Sequence, residues 1–117
     1  MSNHTIPEVL RDAARIFLTE LEGHIAYIRS ALAEADTINF DPAALQRRFH
    51  LIRGASGFLG MKALHSLATE AEHLYRDQGV TLSSSELKSK TAEYLASLET
   101  ALASLGTELR TELKSGS

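Results

Sequence analysis

Arg47-Arg48-Phe49-His50-Leu51-Ile52-Arg53-Gly54-Ala55-Ser56-Gly57-Phe58-Leu59-Gly60 is the stretch that decides how this chain folds. With Leu45 just upstream, the positions Leu45, Phe49, Ile52, Ser56 and Leu59 recur at a four-three-four-three spacing. That spacing lines one face of an α-helix. At about 100° per residue, His50 points roughly 140° from the middle of that face, into water on a rigid element. Arg53 and Gly54 follow at the spacings that set them beside the imidazole, and Gly57 stands one turn further on. The competing reading is a loop over Gly54-Ala55-Ser56-Gly57 with the helix stopping at Arg53. Ser56 and Leu59 keep phase with Leu45, Phe49 and Ile52, which favours a helix running to Leu59 and ended by Gly60.

A glycine inside a helix costs about 1 kcal/mol relative to alanine, so Gly54 and Gly57 together cost about 2 kcal/mol. That is a large share of a small domain's stability. Local rules broken without local gain tend to mark functional sites. Here the missing side chains let another protein's active site close over His50. A nucleophile, a fixed cation and a bare patch of backbone on one surface are what a phosphoryl acceptor needs.

Outside this helix, composition narrows the class. A chain of 117 residues makes one domain with one core. Two prolines, seven glycines and little β-branched clustering favour an all-α fold. Cysteine is absent, which excludes disulfides and thiolate metal sites. A net charge of −3 and the lack of a long basic run argue against nucleic acid as a partner. No apolar stretch is long enough to span a membrane, and the N-terminus carries no signal-peptide hydrophobic region. A cytoplasmic domain, monomeric when isolated, is expected.

The pattern predicts helices over 5–35, 41–59, 62–78 and 84–114, with 115–117 as a tail. Thr5 and Glu8 form a capping box with Pro7 in the first turn. The stripe Leu10, Ala14, Phe17, Leu21, Ile25, Ile28 and Leu32 follows, and Asp36-Thr37-Ile38-Asn39-Phe40 breaks it. Asp41 and Pro42 open the helix that carries His50. The third is expected to turn Leu64, Leu67, Ala71, Leu74 and Tyr75 inward and to stop at Gly79. Ser83 and Glu86 form a second capping box before a long last helix with Leu87, Tyr94, Leu98, Leu102, Leu105 and Leu109 inward. Gly106 is a place where that helix is expected to bend or split. Short connections imply an antiparallel up-down four-helix bundle.

His50-Leu51-Ile52-Arg53-Gly54-Ala55-Ser56-Gly57-Phe58-Leu59-Gly60 resembles the motif of histidine-containing phosphotransfer (Hpt) domains. In that family a histidine is followed by a basic residue at the third position, glycine at the fourth and a closing glycine at the tenth. The resemblance implies a single Hpt four-helix bundle over 1–117 whose exposed histidine carries a phosphoryl group between a kinase and a response-regulator aspartate. It implies as partners a response-regulator receiver domain and a histidine kinase catalytic domain, and no cofactor. It is closest to the phosphotransfer domains of chemotaxis histidine kinases of the CheA type. There a glutamate of the next helix accepts a hydrogen bond from the acceptor imidazole, and Glu72 stands at the matching offset. The helix wheel puts Glu72 about 100° off the third helix's inward face, on a flank that reaches the neighbouring helix. Gly57-Phe58-Leu59-Gly60 also resembles that group. Arg53 departs from the commoner lysine, and Thr69 stands where some members have a second histidine.

The chemistry assigns roles. An imidazole attacks phosphorus only with a free lone pair, so a carboxylate holding the proton on Nδ1 leaves Nε2 as the nucleophile and stabilises the developing charge. Glu72 is the candidate orienter and Arg53 the partner for phosphoryl oxygens. Arg47, Arg48 and Lys62 add positive potential, and Gly54 and Gly57 give a partner access. His65 and Thr69 are candidates to line the site, while His4, His24 and His73 read as solvent-exposed. Glu20, Glu22, Glu34, Glu70 and Glu108 read as solvated helix faces. No metal site is expected. The chain lacks the paired Glu-x-x-His elements of bundle metal centres and any aspartate cluster, so magnesium would come from the partner. With no Gly-rich nucleotide loop the domain reads as a carrier and not an autonomous kinase. It fits a free-standing protein or a piece of a larger kinase. The rival from another class is a docking bundle that keeps the fold without the chemistry.

Overall fold

Four α-helices follow a short 3-10 turn at Glu8–Leu10: α1 (Arg11–Ala33), α2 (Pro42–Phe58), α3 (Lys62–Gln78) and α4 (Ser84–Ser115). This computed structural model describes residues 8–33, 41–78 and 82–115. Thr5, Pro7, the 34–40 connection, Gly79 and the last two residues lie outside the described residues, and with them the first capping box and the interruption at 36–40. Among the described residues there is no strand, and no helix is long and apolar enough to cross a membrane.

The ends of α2 show why it forms where it does. Asp41, extended at φ −105° and ψ 100°, accepts the Ala43 N–H on its side chain at 3.0 Å, and Pro42 takes the first helical position. At the other end Gly60 adopts φ +75°, a left-handed conformation that glycine enters without a Cβ penalty. There Gly60 N–H donates to Gly57 C=O at 3.2 Å and Met61 N–H to Ser56 C=O at 2.9 Å. This pair of bonds is a Schellman closure of carbonyls that the helix leaves open. Between the caps the helix runs unbroken through Gly54 and Gly57. The loop alternative for that segment is therefore excluded.

Leu45, Phe49, Ile52 and Ser56 of α2 are buried, and Leu59 joins them in the core just past its end. They meet Ala14, Phe17, Leu21, Ile25 and Ile28 of α1, Leu64, Ala68, Ala71 and Tyr75 of α3, and Leu87, Tyr94, Leu98, Leu105 and Leu109 of α4. Phe49 is the centre of this core. Its ring stacks on Tyr75 with centroids 5.8 Å apart and meets Tyr94 edge-on at 5.7 Å, which ties three helices together. Burial of a side chain this size contributes about 1.5–3 kcal/mol. It also fixes the rotation of α2, so the next residue, His50, is turned outward.

Ser83 N–H donates to Glu86 Oε1 at 3.0 Å and Glu86 N–H donates to Ser83 Oγ at 3.1 Å, closing the capping box that starts α4. The Ser83 N–H first, and the Ser83 hydroxyl second, hold the Glu86 carboxyl below the usual glutamate range. α4 continues through Gly106 as one helix, so it is not split there. A further correction concerns α3, whose inward residues are Leu64, Ala68, Ala71, Glu72 and Tyr75, with Leu67 and Leu74 only half-buried. Leu102 of α4 is likewise half-buried, while Thr91 is fully enclosed.

Candidate functional site

His50 stands at the middle of α2 with its side chain 59% exposed, and Glu72 reaches it from α3 with a side chain only 6% exposed. The atoms that meet are His50 Nδ1 and Glu72 Oε2, 2.9 Å apart. A carboxylate only accepts, so the proton sits on Nδ1. The remaining ring nitrogen, Nε2, keeps its lone pair on the exposed side. Glu72 is thus an inward residue of α3 and not the flank residue the helix wheel gives. Ala68 and Ala71 carry little hydrophobic weight, yet both are fully buried on this side of α3.

Arg53 lies one turn after His50 and turns back over the ring. Its Nη2 comes within 3.2 Å of His50 Nδ1, too crowded with hydrogens for a bond once Nδ1 carries a proton. Its Nε stands 3.0 Å from Glu72 Oε1, at ion-pair distance but outside hydrogen-bond alignment. This mostly buried carboxylate therefore has one oxygen hydrogen-bonded by the imidazole and the other beside the guanidinium charge, which offset part of the cost of its desolvation.

The two glycines behave differently. A Cβ built on Gly54 meets nothing within 4 Å, so the surface beside His50 is open there. A Cβ on Gly57 falls 3.0 Å from His65 Nδ1 and 3.2 Å from His65 Cε1. Gly57 is itself exposed, and the space left by its missing side chain faces the His65 ring. That ring is half-buried and donates from Nδ1 to the carbonyl of Arg53 at 3.0 Å. His65 is therefore part of the α2–α3 contact beneath the site. Thr69 turns its hydroxyl back onto its own helix, donating to His65 C=O at 2.8 Å.

Around the open patch, Leu51 is 58% and Phe58 67% exposed. They lie seven residues apart on one line of α2, with Gly54 between them. Leu59, in phase with the inward face, is buried in the core. Arg47 and Lys62 are exposed, whereas Arg48 faces α1. Its guanidinium lies 4.2 Å from the centre of the Tyr27 ring and donates to His24 Nδ1 at 3.2 Å. His24 is buried, contrary to its expected exposure. Burial first, and the Arg48 charge second, push its pKa below the ordinary value. Exposed His73 carries no contact with this site among the described residues, and His4 lies outside them. Of the acidic residues, Glu20, Glu22 and Glu70 are exposed, Glu108 is half-buried, and Glu34 lies outside the described residues.

Reasoning from sequence missed the His65–Arg53 bond and the seat that Gly57 makes for it. The signal was present: His65 precedes Glu72 and His50 precedes Gly57 by the same seven residues, so both pairs fall on facing sides of antiparallel helices. Among the described residues, no group of three or more His, Cys, Asp or Glu side chains is placed to hold a metal ion.

Comparison with curated proteins and with solved structures gives no match. The sequence model of one family, the Hpt domain, matches residues 12–114. That span takes in all four helices but for a residue at either end, along with the His50, Arg53 and Glu72 cluster, so the chain belongs to the Hpt domain family, a family of histidine phosphotransfer in two-component signalling.

Proposed function

We propose that His50 accepts a phosphoryl group on Nε2 from a histidine kinase catalytic domain, or from the aspartyl phosphate of a response regulator, and passes it to a receiver-domain aspartate. The observation that carries this reading is the 2.9 Å contact between exposed His50 Nδ1 and buried Glu72. Nε2 forms the new N–P bond with its lone pair as the P–O bond to ADP or to the aspartyl carboxylate breaks. The Nδ1 proton stays in place, and Glu72 stabilises the charge the ring acquires. Arg53 supplies the cation for the phosphoryl oxygens. Leu51, Gly54 and Phe58 form the shallow surface on which the partner lies, suited to a transient contact of micromolar-scale affinity.

In this reading the whole of 1–117 is one monomeric carrier domain working in the cytoplasm, with ATP bound by its partner. The resemblance of Glu72 and the run Gly57-Phe58-Leu59-Gly60 to the phosphotransfer domains of CheA-type chemotaxis kinases supports a reading of the chain as a domain of that kind. Incubation with a cognate kinase and ATP is expected to give acid-labile, base-stable label. His50→Gln is expected to abolish that label while leaving the melting temperature nearly unchanged, since the ring is exposed. Label retained in His50→Gln moves the acceptor elsewhere.

A further inference from the structure

We infer that His65 is a positioning residue for His50, acting through the backbone of Arg53 and the orientation of α3; the inference rests on the reading of His50 as phosphoacceptor. Contacts that cross between α2 and α3 along this edge come at three levels of the pair. Phe49 stacks on Tyr75, His50 meets Glu72, and His65 donates to Arg53 C=O while lying over Gly57. The His50–Glu72 contact lies between the other two. On its inner side the aromatic stack sets how far apart the helices sit. On the outer side the His65 bond sets how far α3 is rotated about its own axis.

That rotation matters because His65 and Glu72 are seven residues apart, two helical turns, and so project from nearly the same side of α3. Any turn of α3 that carries His65 away from α2 carries Glu72 away from Nδ1. The bonded carbonyl also belongs to Arg53, whose Nε is 3.0 Å from the other Glu72 oxygen. One imidazole therefore restrains the peptide that bears the site's cation and the helix that bears its carboxylate. Gly57 is the condition for this: a side chain there would displace the ring by a few tenths of an ångström, enough to lengthen the bond to Arg53.

The test compares His65→Ala, His65→Gln, Gly57→Ala and the double variant, each by nitrogen NMR of the His50 ring and by the rate of labelling with kinase and ATP. His65→Ala is expected to lower the fraction of His50 with its proton on Nδ1 and to slow labelling about tenfold, in line with the sensitivity of such reactions to small misplacements. His65→Gln, whose amide can donate to the same carbonyl, is expected to recover most of both. Gly57→Ala is expected to act in the same direction, and to add nothing when His65 is already alanine. Gly57→Ala favours the helix and so reads the effect even where His65→Ala fails to fold. Unchanged His50 tautomers and labelling in His65→Ala and Gly57→Ala overturn the inference, whatever happens to stability. If wild-type protein takes no label, the phosphoacceptor reading fails, while the NMR comparison still decides the role of His65.

Discussion

At the residue scale, the proposed chemistry turns on one carboxylate held out of water. The two oxygens of Glu72 already face His50 Nδ1 and Arg53 Nε. Glu72→Ala is expected to leave the fold intact and to slow phosphorylation of His50 about tenfold or more, the scale at which partners of a reacting group act. The check is the nitrogen spectrum of the ring, in which the Nδ1–H form should lose its dominance. An unchanged tautomer balance removes Glu72 from the mechanism. Gly54 gives the opposite kind of variant. Its Cβ direction is open, so Gly54→Leu is expected to stabilise α2 by about 0.5–1 kcal/mol yet to block transfer by collision with the regulator. Wild-type transfer by Gly54→Leu shows that partner access does not need the glycine. Sequence spacing was enough to bring His50, Arg53 and Gly54 onto one surface, because all three lie on a single helix whose phase Phe49 and Ile52 fix. It was not enough for His65 or for the burial of Glu72, since those depend on the angle at which a second helix faces the first.

At the element scale, caps and phases decide what each helix contributes. The caps at Asp41, Gly60 and Ser83 are local chemistry, readable from a few adjacent residues. The phase of α3 is not local: Ala68, Ala71 and Glu72 are buried ahead of Leu67 and Leu74, which a count of hydrophobic residues puts inside. Thr91 escaped notice for a similar reason. A threonine in a leucine stripe reads as a break, yet it is fully buried, donates to Leu87 C=O at 2.6 Å and accepts from the Tyr75 hydroxyl of α3. That bond lies next to the Phe49 stack and joins α4 to the helix that carries Glu72. Burial drives the Tyr75 hydroxyl far above the usual tyrosine pKa, leaving it a donor throughout the working range. Thr91→Val is therefore expected to cost about 1–3 kcal/mol by stranding that donor, and Thr91→Ser much less. Urea unfolding of both variants measures the difference. Equal midpoints for valine and serine mean that the hydroxyl pair contributes nothing.

At the scale of the whole molecule, a relay domain has to keep its site rigid while its environment changes, and His24 is a point at which pH reaches the bundle. His24 of α1 is the buried one, only 8% exposed. Arg48 of α2 donates to its Nδ1, which fixes the proton on Nε2, the reverse of the arrangement at His50. Arg48 sits two residues before His50, so the α1–α2 contact and the site share one helix. Burial and then Arg48 lower the His24 pKa, and Glu20 on its own helix opposes them without reversing the shift. The sign follows directly. In the folded protein the ring is neutral, and protonating it places a second positive charge against Arg48 in a poorly solvated position. The stability that goes with the neutral ring is fully present above the ordinary value of 6.5 and is lost as pH falls through the depressed folded value. Wild-type protein is accordingly expected to weaken on acidification below neutrality, seen as a falling urea midpoint. His24→Gln, which offers Arg48 an acceptor that cannot take a proton, is expected to show a shallower fall. All other ionisable groups are common to the two proteins and cancel from the comparison. Parallel curves for the two proteins between neutrality and mild acid would show that His24 has the same proton affinity folded and unfolded. The Arg48 contact would then be a matter of packing over Tyr27 alone.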